Sequence, residues 1–230
     1  MIAKTVTTAA VAGALLIALV GCSTPETETT VATTTPTPDV SATSEAPTIL
    51  TDAELTTIFT GVQFVPGEYA STGELIDSIY PGLTASDPSC LTPFGVGWDA
   101  DPALSAASLE FGTSNDRSMT TVVSSTGDVD VASGLLAEAN DALVRCAGAS
   151  IFTMQGQPVQ TTVEQFTPTI TGTDETLGWR VNGDVGGMAF TLVGLTARVG
   201  GNVVALVGWD PSTNEKNVPL ATQMIVDELG

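Results

Sequence analysis

The chain of 230 residues contains no histidine. This absence excludes Ser-His-Asp and Cys-His mechanisms, the usual zinc ligand sets and most general-base catalysis near neutral pH. What remains is carboxylate chemistry, in which a glycosidase uses two acids across a cleft. The acids available for such a pair are Asp99, Asp101, Glu110, Glu164, Asp184 and Asp210. Acids scattered this widely form a close pair by chance, so we expect a protein that is not an enzyme.

Basic residues are scarce: six Lys and Arg stand against 26 Asp and Glu, for a formal net charge of −20. Such a surface is repelled by nucleic acid and by anionic membranes. The composition therefore excludes nucleic acid as a partner, and it keeps the protein soluble.

Metal and phosphate motifs are also missing. Asp99 with Asp101, and Asp128 with Asp130, resemble oxygen ligands for calcium, but neither pair continues into a calcium-binding loop with a distal glutamate. The glycines that follow a predicted strand open no helix, so they indicate a turn and not a phosphate site. These glycines are Gly183, Gly186 and Gly187. We expect no metal and no cofactor.

Cysteine occurs three times, and Cys22 ends the N-terminal segment. Lys4 is followed by an uncharged apolar run over residues 6–20, the layout of a secretory signal peptide. The strongly apolar part is about a dozen residues, short of the ~20 that span a bilayer. Leu19-Val-Gly-Cys22 resembles the bacterial lipobox, whose cysteine receives acyl chains that anchor the protein. We predict a signal peptide over residues 1–21 and lipidation of Cys22, with membrane contact through this anchor alone.

The next segment, residues 22–47, is rich in Thr, Ser, Pro, Glu, Ala and Val and has no aromatic residue. Such a composition buries too little apolar surface to offset the entropy of ordering. It predicts a disordered tether, and its Thr and Pro content permits O-glycosylation. Residues 48–230 then form one domain of ordinary size.

Cys90 and Cys146 are the only cysteines left once Cys22 is lipidated. An exported protein enters an oxidising space, so we predict a disulfide between them. In the chain-entropy model, closing this loop of 56 residues contributes about 4 kcal/mol at most. A reactive thiol pair would need a C-x-x-C spacing or a nearby base, and the sequence has neither.

Helix signals occur at four places in the predicted domain. Thr51 and Glu54 have the capping-box spacing ahead of apolar residues at helical spacing. The longest pattern begins at Asp128 or Asp130 and reaches Gly148, a left-handed stop. The predicted helices cover residues 52–60, about 74–79, 128 or 130 to 148, and 217–229. In the last of these we expect four apolar residues to face inward, namely Leu220, Met224, Ile225 and Leu229.

Alternating or continuous apolar runs indicate strands elsewhere. The predicted strands are residues 107–111, 119–124, 149–154, 159–166, 177–181, 188–199 and 202–209. Residues 203–207 are apolar on both faces, as in a central strand covered on both sides. The elements predict an α+β fold, with an antiparallel sheet of about five to seven strands and helices packed on one face.

Several of these features resemble the PknH-type extracellular sensor domain, found outside actinobacterial receptor kinases and in free lipoproteins. The resemblance lies in the helix at residues 50–59, Asp87-Pro-Ser-Cys90, Leu143-Val-Arg-Cys146-Ala-Gly148, the strand at 202–207 and the last helix. It covers nearly all of residues 48–230 and implies a cleft that binds an unidentified extracellular ligand. A second disulfide that is common in the family has no cysteines here.

A ligand cleft would draw on the tryptophans and on nearby arginines, because Trp stacks on rings and sugars and Arg binds anions. The candidates are Trp98, Trp179, Arg180, Arg198 and Trp209. The alternative is that the tryptophans lie in or beside the core and that the arginines pair with acids.

The sequence as a whole predicts a cell-envelope lipoprotein on the extracytoplasmic face of the cell membrane, with a non-catalytic sensor-like domain. Its partner would be a small molecule, a glycan, a lipid or an envelope protein. The alternatives are an accessory subunit of an envelope complex and a carboxylate-dependent glycan hydrolase.

Overall fold

The computed structural model describes residues 48–147 and 152–230. The predictions of a signal peptide, a lipidated Cys22 and a tether lie outside these residues, as do the expected stop at Gly148 and the first residues of the strand predicted at 149–154. The described helices are α1 (Asp52–Gly61), α2 (Thr72–Ile79), α3 (Val129–Arg145) and α4 (Pro211–Leu229). Short 3₁₀ helices cover Pro88–Phe94, Trp98–Ala100 and Pro102–Leu104.

One antiparallel sheet runs through the domain in the order β1-β3-β4-β9-β8-β7-β6-β5-β2. The strands are β1 (Phe64–Pro66), β2 (Thr84–Ala85), β3 (Ser108–Ser114), β4 (Met119–Ser125), β5 (Phe152–Met154), β6 (Gln157–Phe166), β7 (Glu175–Val185), β8 (Met188–Val199) and β9 (Asn202–Gly208). The α+β prediction is confirmed, but the count of about five to seven strands is too low, since the described residues form nine. The two additional strands, β1 and β2, are three and two residues long, too short to show a period of two.

Helices cover both faces of the sheet, so the prediction of helices on one face is wrong. Helices α1 and α4 pack on one face, where Phe59 and Ile225 belong to the same core cluster as Leu206 of β9. Helices α2 and α3 pack on the other, where Ala205 of β9 belongs to the same core cluster as Leu135. Helices are needed on both faces because the side chains of the central strand β9 are buried on both sides, as predicted for residues 203–207.

The predicted disulfide is confirmed: Cys90 and Cys146 are bonded, with their Cα atoms 5.7 Å apart. It ties the end of α3 to the 3₁₀ helix Pro88–Phe94, and both cysteines are buried. Beside the bridge, the rings of Phe94 and Trp179 lie 5.1 Å apart. The disulfide therefore holds a segment without long helices or strands against the sheet.

Helix α4 begins six residues earlier than predicted and turns a different face to the sheet. Ile225 and Leu229 are buried as expected, but Leu220 is 61% exposed and Met224 is 38% exposed. The buried stripe is Val218, Ala221, Thr222, Ile225, Val226 and Leu229. Leu220 and Met224 fall on another face at 3.6 residues per turn.

In the part of the chain that the structure describes, no helix is long and apolar enough to cross a membrane.

Candidate functional site

Two of the predicted cleft residues, Trp98 and Trp179, lie in the core. Trp179 is fully buried, and its indole covers Gly194, where an added Cβ would lie 2.0 Å from the ring. Trp98 is also buried, among side chains of α3 and β4, although its edge borders a shallow depression beside Pro88. Neither indole reaches the cavity at Trp209 described below.

The two predicted arginines form ion pairs. Arg198 lies 3.1 Å from Asp174 and 2.8 Å from Glu175, and its side chain is almost buried. Arg180 lies 2.6 Å from Glu215 and 3.4 Å from Glu164. Its guanidinium also lies over the ring of Phe166, at 5.8 Å from the centroid. These arginines join strands to each other and to α4.

Trp209 follows β9 and is 48% exposed. It borders an apolar cavity of about 330 Å³, which we name the Trp209 cleft. The cleft is lined by Ile79, Tyr80, Pro81, Met154, Gln155, Val185, Met188, Ala189, Phe190, Leu192 and Trp209. Of the five predicted lining residues, all within the described part of the chain, Trp209 alone lies here.

Four separate segments build the Trp209 cleft: the end of α2, the β5–β6 turn, the β7–β8 hairpin and Trp209 after β9. The β5–β6 turn places Gln155 at a φ of 51° and Gly156 at 75°, a left-handed pair that closes a tight hairpin. The turn contacts the loop after α2, since Gln155 N donates to Gly82 O at 3.2 Å. Asp77 holds the same loop by accepting from Gly82 N at 2.7 Å.

The ring of Phe190 packs over a position of the neighbouring strand that only glycine can occupy. Its ring covers Gly183 of β7, where an added Cβ would lie 2.2 Å from the ring. Gly186 and Gly187 have φ values of 59° and 89° and form the predicted turn between β7 and β8. The third glycine assigned to this turn, Gly183, lies within β7 instead. The wall residues of the cleft could not be found in the sequence, because they come from distant segments and carry no motif.

The cleft is electrically neutral inside, because among the described residues none that lines it is charged. Tyr80 is buried there, and its hydroxyl has no hydrogen-bond partner within the described chain. Burial raises the pKa of Tyr80 far above its ordinary value. The phenol therefore stays uncharged, and the lining favours apolar groups.

The acids that could have formed a catalytic pair have structural partners instead. Asp101 accepts from Ala103 N at 2.8 Å, and Glu110 accepts from Thr56 Oγ1 at 2.9 Å. Asp99 accepts from Thr72 Oγ1, and Glu164 pairs with Arg180. The remaining two, Asp184 and Asp210, hold the β7–β8 turn and the start of α4 through Gly187 N and Ser212 N, both at 2.9 Å.

The other acidic pair from the sequence lies at the start of α3. Asp128, and not Asp130, caps this helix, accepting from the backbone N of Asp130 at 2.8 Å. Across residues 48–147 and 152–230, no group of three or more His, Cys, Asp or Glu side chains is arranged to hold a metal ion.

A second depression, the α4 groove, lies between α4 and the β3–β4 hairpin and has a volume of about 360 Å³. Its lining includes Gln63, Asn115, Met119, Leu220 and Met224. It is more polar than the Trp209 cleft and lies toward the opposite face of the sheet. The exposed Leu220 and Met224 at its border are the residues that the sequence placed in the core.

The Trp209 cleft lies at one end of the central strands. Gly208, just before Trp209, pairs with Met119 at the start of β4. The segment leading into the domain meets the other end, where Leu50 N donates to Ser125 Oγ at 2.8 Å. The seven residues of β4 span roughly 20 Å. The cleft is thus at the end of the sheet away from residues 48–50.

No protein-family model matches the chain, and no curated protein matches it. Among solved structures, the chain is similar to the extracellular domain of PknH from Mycobacterium tuberculosis, with 14% sequence identity and a TM-score of 0.47. The similarity covers 79% of this chain and 92% of that domain. Membership of the PknH-type family stays a prediction.

Proposed function

We propose that this protein is a lipid-anchored, non-catalytic binding protein on the extracytoplasmic face of the cell membrane. The Trp209 cleft holds the apolar part of its ligand. The observation that carries this proposal is an exposed tryptophan beside an uncharged cavity of about 330 Å³.

Exposed apolar surface at the cleft supports a bound ligand. Met188 is 72% exposed and Trp209 is 48% exposed, and both border the same cavity. Burying apolar surface stabilises a complex by about 25 cal/mol per Å². A contiguous apolar patch around a concavity is typical of a ligand or partner site.

The cavity volume limits the size of the buried group. At roughly 30 Å³ per water-sized group, the cleft holds about ten non-hydrogen atoms, such as a ten-carbon chain or two fused rings. Burying ten methylenes contributes at most about 8 kcal/mol, from which the lost freedom of the ligand is subtracted. We therefore expect dissociation constants between about 1 µM and 1 mM for simple alkyl ligands.

The groups around the cleft favour binding over catalysis. The chain has no histidine, and Asp184 and Asp210, which adjoin the lining residues Val185 and Trp209 in sequence, accept hydrogen bonds from backbone N–H groups that they hold in place. A general base needs a proton acceptor within hydrogen-bond reach of the substrate. No such group lines the Trp209 cleft in the described chain.

The test is a titration of the unlipidated polypeptide of residues 23–230 with decyl maltoside, kept below its micelle concentration. Saturable heat in calorimetry and a blue shift of tryptophan emission are expected, because Trp209 is the exposed indole and Trp98 and Trp179 are buried. The Trp209→Phe variant should lose the emission change and keep the signal of the two buried indoles. Absence of saturable heat in the parent protein would contradict the proposal.

A second candidate function, an accessory subunit of an envelope complex, is favoured by Leu220 and Met224, which are exposed on α4. In this case the α4 groove would contact a protein. Crosslinking in cells should then give one dominant product that Leu220→Asp removes and that Trp209→Ala leaves in place. The opposite pattern would favour the Trp209 cleft.

A further inference from the structure

We infer that the Trp209 cleft selects a cationic amphiphile: a ligand with an apolar chain inside the cavity and a positively charged head group at its opening. This inference rests on the proposed function, in which the cavity binds an apolar group. It is carried by the distribution of charges around the cleft.

No basic residue of the described chain, neither Lys nor Arg, lines the cleft. The described arginines are all in ion pairs with acids: Arg117 with Glu68, Arg145 with Asp87, Arg180 with Glu164 and Glu215, and Arg198 with Asp174 and Glu175. Lys216 is exposed on α4, which packs on the other face of the sheet. Arg117 touches Trp209 through its carbonyl oxygen, but its guanidinium lies 3.4 Å from Glu68. A carboxylate or phosphate head would therefore find no unpaired counter-charge among the residues that line the cleft.

Three carboxylates flank the segments that form the cleft. Asp77 accepts from Gly82 N, in the loop beside Pro81. Asp184 precedes Val185 and holds the β7–β8 turn, and Asp210 follows Trp209 and caps α4. Each is fixed by a hydrogen bond from a backbone N–H group, so the negative charges cannot move away when a ligand approaches.

Asp210 is ionised at neutral pH. Hydrogen bonds from Ser212 hold the pKa of Asp210 below its usual range. The formal net charge of −20 adds a negative potential from the rest of the chain. A cationic head at the opening is attracted, an anionic head is repelled, and the apolar chain gains the same burial in both cases.

Screening by salt sets how far the affinities of cationic and anionic ligands differ. Charges interact across a Debye length of about 10 Å at 0.1 M salt and about 3 Å at 1 M. At low salt, three nearby carboxylates should separate cationic from anionic ligands of equal chain length by at least about tenfold in affinity. The separation should shrink to within about threefold at 1 M salt.

The experiment compares three ligands with one decyl chain: decyltrimethylammonium, decyl maltoside and decanesulfonate. Each is titrated calorimetrically into the polypeptide of residues 23–230 at pH 7, at low salt and at about 1 M salt. Affinity should fall in that order at low salt. Equal or tighter binding of decanesulfonate overturns the inference while leaving the proposed function standing. Failure of all three ligands to bind contradicts the proposed function itself.

Variants that remove the three carboxylate charges test whether these residues cause the preference for a cationic head group. The triple variant Asp77→Asn, Asp184→Asn, Asp210→Asn keeps an oxygen acceptor at each backbone N–H, because asparagine is close in shape to aspartate. The ratio of decyltrimethylammonium to decyl maltoside affinity should fall at least about fivefold in this variant.

The matched control removes the same charge from exposed acids elsewhere, with Asp52→Asn, Asp141→Asn and Glu228→Gln. This control should leave the ratio within about twofold of the parent value. An equal fall in both triple variants overturns the inference, since the preference would then arise from net charge and not from the cleft.

Discussion

The indole Nε1 of Trp209 donates a hydrogen bond to the carbonyl oxygen of Arg117, 3.0 Å away, although 92 residues separate them in the chain. Arg117 has a left-handed φ of 56° in the β3–β4 hairpin, and this conformation is part of the turn that presents its carbonyl. The bond holds the half-exposed indole in one orientation beside the cleft. A side chain that is already ordered loses less entropy when a ligand packs against it.

Replacing Trp209 separates the apolar contact of its ring with a ligand from the hydrogen bond that its indole makes to Arg117. Trp209→Phe keeps an apolar ring but loses the bond to Arg117 O, while Trp209→Ala removes both. Affinity for decyl maltoside should fall in the order parent, Phe, Ala, with the Ala variant at least about tenfold weaker because apolar contact area is lost. Calorimetry measures this directly. An Ala variant that binds like the parent would place the site elsewhere.

Gly183→Ala should disturb the cleft by displacing Phe190, one of its lining residues. The new methyl group would lie 2.2 Å from the Phe190 ring, which must then move. Overpacking of this kind costs about 1–3 kcal/mol of unfolding free energy and should weaken decyl maltoside binding. Gly134→Ala is the matched control, because that glycine lies inside α3 with nothing within 4 Å of the new methyl. Urea unfolding should show Gly134→Ala more stable than the parent by about 0.5–1 kcal/mol; similar behaviour of the two variants contradicts the packing described.

Removing the disulfide should lower stability without unfolding the domain. The double variant Cys90→Ala, Cys146→Ala loses a cross-link between residues 56 apart, and we expect a loss of about 2–4 kcal/mol. Urea unfolding at pH 7 measures it, with dithiothreitol added to the parent as a second route to the same state. Unchanged stability in both would mean that the bridge does not constrain the unfolded chain.

Below about pH 8, stability should depend on pH only in the acid range. Hydrogen bonds from Ser212 and from Ser114 lower the pKa of Asp210 and of Asp116, respectively. A lowered folded-state pKa gives stability that is present above the unfolded value of about 3.9 and is lost as pH falls through the folded value. With no histidine, unfolding free energy should be nearly constant between about pH 5.5 and 8 and should fall below about pH 4.

Asp116→Asn tests the acid-range prediction, because asparagine accepts hydrogen bonds but does not titrate. This variant should lose less stability than the parent between about pH 5 and 3. Urea unfolding across a pH series measures both proteins. A steeper acid loss in the variant, or a transition near pH 6.5 in the parent, would contradict the assignment.

The anchor prediction concerns Cys22, outside the described residues. Cys22→Ala should leave the chain uncleaved by the lipoprotein signal peptidase and unlabelled by fatty-acid probes. Labelling in growing cells followed by electrophoresis measures both effects, with Cys90→Ala as the control that should still be labelled. Continued labelling of Cys22→Ala would remove the lipoprotein interpretation.

Much of the fold could be predicted where local chemistry decides it. The capping box of Thr51 and Glu54 marked the start of α1, and alternation over residues 188–199 gave both ends of β8. The disulfide followed from elimination, because lipidation of Cys22 would leave one pair. In each case a short stretch or a simple count contained the relevant information.

The remaining features depend on tertiary contacts that one sequence does not show. Strands β1 and β2 exist through pairing with β3 and β5, and Leu220 is exposed because the stripe of α4 through Val218, Ala221 and Ile225 faces the sheet. Likewise, the sequence predicted Trp179 and Trp209 equally as cleft residues because both are tryptophans. In the structure Trp179 is fully buried and Trp209 is half-exposed. The walls of the cleft come from four segments that are distant in the chain, and only the fold brings them together.

The most direct test of the account is native mass spectrometry of the protein released gently from its own envelope, with the Trp209→Ala variant prepared identically. We predict a reproducible additional mass on the parent protein, absent from the variant and absent from parent protein made in a foreign host. The same additional mass on the variant, or the bare polypeptide mass in every sample, would contradict a ligand held in the Trp209 cleft.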